Sequence, residues 1–128
     1  MRTNTKLLLA SLVGIAIGIA ATTIFGQQFK TPPGYVIAEV DVTDAATFQK
    51  YAEKVPGTLA PFGGRYIARG GKVLAVEGDA PKRFVLIAFD SFEKAKGWED
   101  SPAYEAIKPI RHSSAKSRVF IAEGVAPQ

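Results

Sequence analysis

Residues 7–25 contain no charged side chain, and only Arg2 and Lys6 precede them. A basic start, an apolar run and a polar continuation are how an exported or membrane-tethered bacterial protein begins. This feature divides the chain between two solvents. The fold of the working part must be built from the roughly one hundred residues that follow, enough for one modest core. The apolar run exceeds the roughly 7–15 residues of a cleaved signal core and is close to the ~20 of a spanning helix. Ala20, Ala21, Thr22 and Thr23 offer small residues for cleavage near its end. Both readings are kept: residues 1–28 are a signal peptide or an N-terminal anchor, and any membrane contact runs through 7–25 if they are not removed. Either way the domain is expected outside the cytoplasm, in the periplasm or tethered at the outer side of the cytoplasmic membrane.

Residues 29–34 read as a linker, because Pro32–Pro33 favours an extended backbone. With Arg2 and Lys6 set aside, fourteen basic residues face twelve acidic ones. So small and scattered a surplus argues against nucleic acid as a partner. The chain has no cysteine, so thiolate nucleophiles, thiolate metal sites and disulfide staples are all excluded. A domain of this size must then hold together by packing, by oligomerisation or by both.

From residue 35 to 124 the apolar pattern alternates between strand and helix periods. Tyr35–Val42 reads as a strand, with Val36, Ala38, Val40 and Val42 on one face and Tyr35, Ile37, Glu39 and Asp41 on the other. Asp44 caps a helix whose Phe48, Tyr51, Ala52, Val55 and Leu59 recur at helical spacing. Pro56 is expected to end or kink it. Arg65–Arg69 is a second strand, with Tyr66 and Ala68 opposing Arg65, Ile67 and Arg69. After Gly70–Gly71, Lys72–Glu77 is expected to continue as strand, and 78–82 to turn. Arg83–Phe89 is apolar on both faces, as a covered strand would be. Ser91 caps a second helix with Phe92, Ala95 and Trp98 inward, and Ser101–Pro102 restarts it. Tyr104, Ile107 and Ile110 line its buried side until Pro109 interrupts. Arg111–Lys116 reads as a polar loop, Arg118–Glu123 as the last strand and 125–128 as a tail.

The order strand–helix–strand–strand–helix–strand predicts an α+β, ferredoxin-like βαββαβ sandwich: an antiparallel sheet with two helices on one face. The other face would hold Tyr35, Ile37, Glu39, Ile67, Arg69 and half of the last two strands. An apolar face of that size is more than a monomer normally exposes. A second copy is the expected cover, giving a homodimer of the dimeric α+β barrel kind.

Gly63-Gly64-Arg65-Tyr66, Arg69-Gly70-Gly71, Glu77-Gly78, Arg83, Phe89-x-Ser91-Phe92, Trp98, Ser101-Pro102-x-Tyr104 and Arg111 carry a resemblance. Over about residues 35–124 the chain resembles the bacterial domain-of-unknown-function 1330 family. The resemblance implies the dimeric α+β barrel superfamily and no established reaction. Superfamily relatives include cofactor-free monooxygenases, haem-binding enzymes and lactone isomerases, and carrying any of these over is fold analogy.

Glu39 sits among apolar residues on the face expected to meet the partner, with Arg69 as its expected pair. The pair is either a polar site, Glu39 as base and Arg69 as anion holder, or a structural ion pair at the seam. His112 is the only histidine. It is a candidate general base, or a haem ligand in a low-ranked alternative, or a solvated loop residue. No metal site is expected, and no cofactor apart from that haem alternative. Ser113, Ser114 and Ser117 lack an orienting carboxylate close by in sequence. Trp98 and Tyr104 read first as core, though Tyr104 with Arg111 would also line a small apolar pocket. The ligand-binding candidates are therefore Arg69, Tyr104, Arg111 and His112. The expected function is binding or converting a small organic molecule between sheet and helices, by proton transfer or oxygenation without a cofactor if it is a reaction. A non-catalytic envelope module is the alternative.

Overall fold

The computed structural model describes residues 30–128, within which Thr31–Gln128 form one compact unit. The segment read as signal or anchor lies outside the described residues. Among the described residues no helix is long and apolar enough to cross a membrane. Strand β1 (Gly34–Val42) leads to helix α1 (Ala45–Leu59), a single 3-10 turn (Ala60–Phe62) and strand β2 (Arg65–Arg69). Strand β3 (Arg83–Phe89), helices α2 (Phe92–Glu99) and α3 (Pro102–Ser114) and strand β4 (Ala115–Glu123) complete the unit. The sheet order is β2-β3-β1-β4, antiparallel throughout. β1 and β2 both run against β3 and so parallel to each other, with β3 inserted between them. This is the ferredoxin-like split βαβ arrangement.

Period-2 alternation decides what faces the helices. Val36 pairs with Ile87 and Ile121, and Ala38 with Val85 and Val119. These side chains meet Phe48, Tyr51 and Val55 of α1 and Trp98, Tyr104 and Ile107 of α2 and α3. Trp98, Tyr104 and Phe89 are fully buried, each contributing about 1.5–3 kcal/mol of apolar transfer. Capping fixes the helix starts. Asp44 accepts from Thr47 N at 3.2 Å, Ser91 from Lys94 N at 3.1 Å and Ser101 from Tyr104 N at 3.3 Å. The Thr47 hydroxyl, which donates to Asp44 Oδ2 at 2.7 Å, and then the Thr47 N–H lower the Asp44 carboxyl below its ordinary range.

Several expectations need correction. Lys72–Glu77 is not a strand, and the whole segment from Gly71 to Ala80 is exposed. Gly70 takes φ +67° and its N–H closes onto Phe84 O at 2.9 Å. Residues 72–77 pair with no strand, and the outer edge of β2 stays free. Pro56 lies inside α1 and Pro109 inside α3. Each is exposed, which lets the ring sit outside the packed face at the loss of one backbone bond. Arg111 and His112 consequently belong to the last turn of α3, not to a loop. Three helices, not two, cover the sheet, because Ser101 starts α3 anew.

Candidate functional site

The helix-facing side of the sheet does not pack shut. A cavity of about 50 Å³ remains between it and the helices. Its walls are Val36, Ala38 and Val40 of β1, Val85 and Ile87 of β3, Val119 of β4, and Phe48, Ala52 and Val55 of α1. Trp98 and the phenols Tyr51, Tyr66 and Tyr104 close the aromatic side. Three guanidinium groups, Arg69, Arg83 and Arg111, also line it.

Arg69 reaches the cavity because of a β-bulge. Tyr66 pairs with Ile87 and Ala68 with Leu86, leaving Ile67 as an extra residue. Strict alternation would put Arg69 on the open face. The extra residue returns it, opposite Val85, to the helix side. Its guanidinium lies over the Tyr66 ring at 4.5 Å. The expected Glu39–Arg69 pair is therefore absent. Glu39 instead pairs with Arg118 on the neighbouring strand, at 3.1 Å between Arg118 Nε and Glu39 Oε2. Both groups are well exposed to water, so this pair stabilises little.

Arg83 enters by alternation. It lies on the same face of β3 as Val85 and Ile87, opposite Val40. Its guanidinium stands over the Phe48 ring at 5.5 Å. The close approach of Gly70 makes room: a Cβ there would stand 2.8 Å from Arg83 Nη1. Arg111 projects from the last turn of α3 and is only 8 % exposed. Its Nη2 stands 3.5 Å from His112 Nε2. None of the ion pairs among the described residues includes Arg69, Arg83 or Arg111. The Nε atoms of Arg83 and Arg111 are buried without a hydrogen-bond partner. A buried charge without an opposite one is costly, by several kcal/mol on the general scale.

The phenols set the remaining electrostatics. Tyr51 Oη and Tyr104 Oη are 2.7 Å apart. Burial pushes the Tyr51 hydroxyl far above the usual phenol range, and its neighbour Tyr104 adds to that. Burial also raises Tyr104, against the hydrogen bond it shares with Tyr51 and the charge of Arg111. Burial raises Tyr66 likewise, with Arg69 opposing. All three are neutral at physiological pH and act as hydrogen-bond donors, not as bases. Below the pair, Trp98 stacks on Tyr104 with 3.9 Å between centroids, and its Nε1–H donates to Thr58 Oγ1 at 3.0 Å. The lining thus combines apolar walls with cationic and neutral donors. No carboxylate or imidazole is part of it.

Of the residues singled out from sequence, Arg69, Tyr104 and Arg111 converge on this cavity. His112 is exposed at the end of α3 and Glu39 lies on the other face of the sheet. Glu39 borders a wider depression of about 380 Å³ together with Asp41, Asp79, Lys82, Lys116 and Arg118. That depression is open to solvent, and four of its charges pair with one another: Lys82 with Asp41 at 3.9 Å, Arg118 with Glu39. The cavity beneath the helices, though smaller and open at the exposed Arg69, is the better candidate. Sequence reasoning missed Arg83, Tyr51 and Tyr66 as members of it. A signal for Arg83 existed: it is the single charge on the helix-facing side of an otherwise apolar strand. Among the described residues no group of three His, Asp or Glu side chains is arranged to hold a metal ion.

Solved structures show the same architecture. A Rhodopseudomonas palustris protein of unknown function superposes with a TM-score of 0.62 at 15 % identity, covering 82 % of this chain and 94 % of its own. SnoaB, a cofactor-independent oxygenase from Streptomyces nogalater, gives 0.52 at 15 % identity over 77 % of this chain and 96 % of its own. A hypothetical Arabidopsis thaliana protein gives 0.52 at 15 % identity, covering 77 % and 93 %. Likeness at this level of identity establishes the fold alone. No curated protein matches the chain in sequence. The sequence profile described as "Domain of unknown function (DUF1330)" matches residues 33–125, most of the chain and all of the sheet, and the chain therefore belongs to the DUF1330 family.

Proposed function

We propose that the chain binds a small organic molecule in the cavity between its sheet and helices. The observation that carries this reading is Arg111, a guanidinium buried at 8 % exposure against apolar walls with no carboxylate to answer it. In a purely structural core an apolar residue of similar volume would serve without that cost. A mostly apolar cavity with a few convergent polar groups is the usual form of a ligand site. Conversion of the bound molecule without a cofactor, as the description of SnoaB would suggest, rests on shared architecture alone. The lining donates hydrogen bonds and positive charge, so its contribution to any reaction is to hold and stabilise negative charge on the substrate.

The protein works as a homodimer outside the cytoplasm. Ile67 is 57 % and Phe120 42 % exposed on the open sheet face, and a second copy is the natural cover. Export rests on Arg2, Lys6 and the uncharged run 7–25, and N-terminal sequencing of the mature protein tests it. The ligand reading is tested by thermal denaturation of the full chain against a panel of small organic molecules. Ala52 lines the cavity, and Ala52→Leu fills it. Molecules that raise the melting temperature of the wild type are expected to lose that effect in the variant. Equal shifts in both proteins, or no shift with any compound, would contradict the reading.

A further inference from the structure

Given that the cavity is a ligand site, its chemistry also specifies the ligand's charge. We infer that the occupant is a small carboxylate: an anionic carboxyl group on a compact apolar body. Arg69, Arg83 and Arg111 all line the cavity, and no ion pair among the described residues neutralises them. Arg111 is more than nine-tenths buried, and the Nε atoms of Arg83 and Arg111 lack a partner. Nothing acidic shares the lining, and Glu99, whose charge reaches Tyr104, is paired with Lys108 at 2.8 Å.

The Tyr51–Tyr104 hydroxyl pair adds a donor. Whichever oxygen donates across their 2.7 Å contact, the other's proton is free for a ligand. Both phenols keep their protons because burial raises them, so they do not compete with an anion for the guanidinium groups. A planar guanidinium fork matches a carboxylate in two-point contact. The remaining walls, Val36, Ala38, Val40, Val85 and Ile87, require carbon, not further charge. The cavity, about 50 Å³, holds on the order of three or four waters. The apolar walls, not the volume, suit a carboxyl with a few carbons better than a phosphoryl group bearing two charges.

Trp98 reports occupancy directly, because it is the chain's only tryptophan and lines the cavity. The full chain in mild detergent is titrated with isobutyrate, with its neutral isostere isobutyramide, and with inorganic phosphate, following Trp98 emission. Isobutyrate is expected to give a saturable change at millimolar concentration, with the amide weaker by about tenfold or more. Arg111→Gln is expected to abolish that preference, and Arg83→Gln to reduce it should the first variant fail to fold. Arg118→Gln, on the open face, is expected to leave it unchanged. Equal affinity for acid and amide would overturn the carboxylate assignment and leave the ligand site standing. Phosphate binding as tightly as isobutyrate, or a preference for the acid surviving in both arginine variants, would overturn it too. No response of Trp98 to any of the three would count against both the carboxylate and the ligand site.

Discussion

Thr58 illustrates how single polar groups hold this core. Its Oγ1–H donates to Val55 O at 2.7 Å and its oxygen accepts from Trp98 Nε1 at 3.0 Å. The indole is otherwise surrounded by apolar and aromatic groups. Thr58→Val keeps the shape and orphans a buried N–H, which costs about 1–3 kcal/mol. Chemical denaturation should read that loss in the free energy of unfolding, and an unchanged midpoint would show that the bond contributes nothing. The phenols make a pH prediction. Burial raises Tyr51 and Tyr104 above their ordinary value of 10.0 in the folded chain. In the unfolded chain they ionise near that value, so the unfolded state releases protons first as pH rises. The stability they contribute is whole below about pH 10 and falls above it, by at most about 1.4 kcal/mol per pH unit for each group. Tyr51→Phe should make that alkaline decline shallower, as measured by melting temperature between neutral pH and pH ~11. An identical pH profile in the variant would contradict the burial argument.

Between elements, the tightest joint is where β1 begins. Gly34 opens the strand directly beneath the start of α2. A Cβ there would meet the main chain, 2.7 Å from Phe92 Cα. Backbone on both sides gives no room to relax, so Gly34→Ala should cost about 1–3 kcal/mol, the usual range for overpacking. A neutral result in an unfolding titration would mean that α2 can move. Nothing in the sequence announces this joint, because it depends on where α2 lands. Caps and periodicity were legible: Asp44, Ser91 and Ser101 all cap the helices they were expected to cap. Pro56 reads from sequence as an end or a kink of its helix and Pro109 as an interruption, yet both helices run on through them, because tertiary packing of Val55, Leu59, Ile107 and Arg111 outweighs one missing backbone bond in each. Lys72–Glu77 failed for the opposite reason. Its alternation suits a strand, but a strand needs a hydrogen-bonding neighbour, and this segment pairs with none, leaving the outer edge of β2 free.

At the scale of the whole molecule, the sheet has one face committed to helices and one open. The open face, with Phe120 and Ile67, is expected to be covered by a second copy. Native mass spectrometry of the full chain should show a dimer that Phe120→Glu converts to monomer. A wild-type monomer would remove the homodimer. The cavity side was only partly legible. Tyr104 follows from helix periodicity, whereas Arg111 reads as loop because Pro109 masks the last turn of α3, and Arg69 appears on the wrong face until the bulge at Ile67 is known. Arg83 was hidden in plain alternation. The proposed ligand site stands or falls on the cationic lining of the cavity. Its most direct test is a high-resolution crystal structure of the chain purified from its native source. The account predicts density for a small organic molecule in the cavity, with a polar atom within about 3 Å of the Arg111 guanidinium. A cavity holding only ordered water, bridging the arginines to the tyrosine hydroxyls, would contradict it.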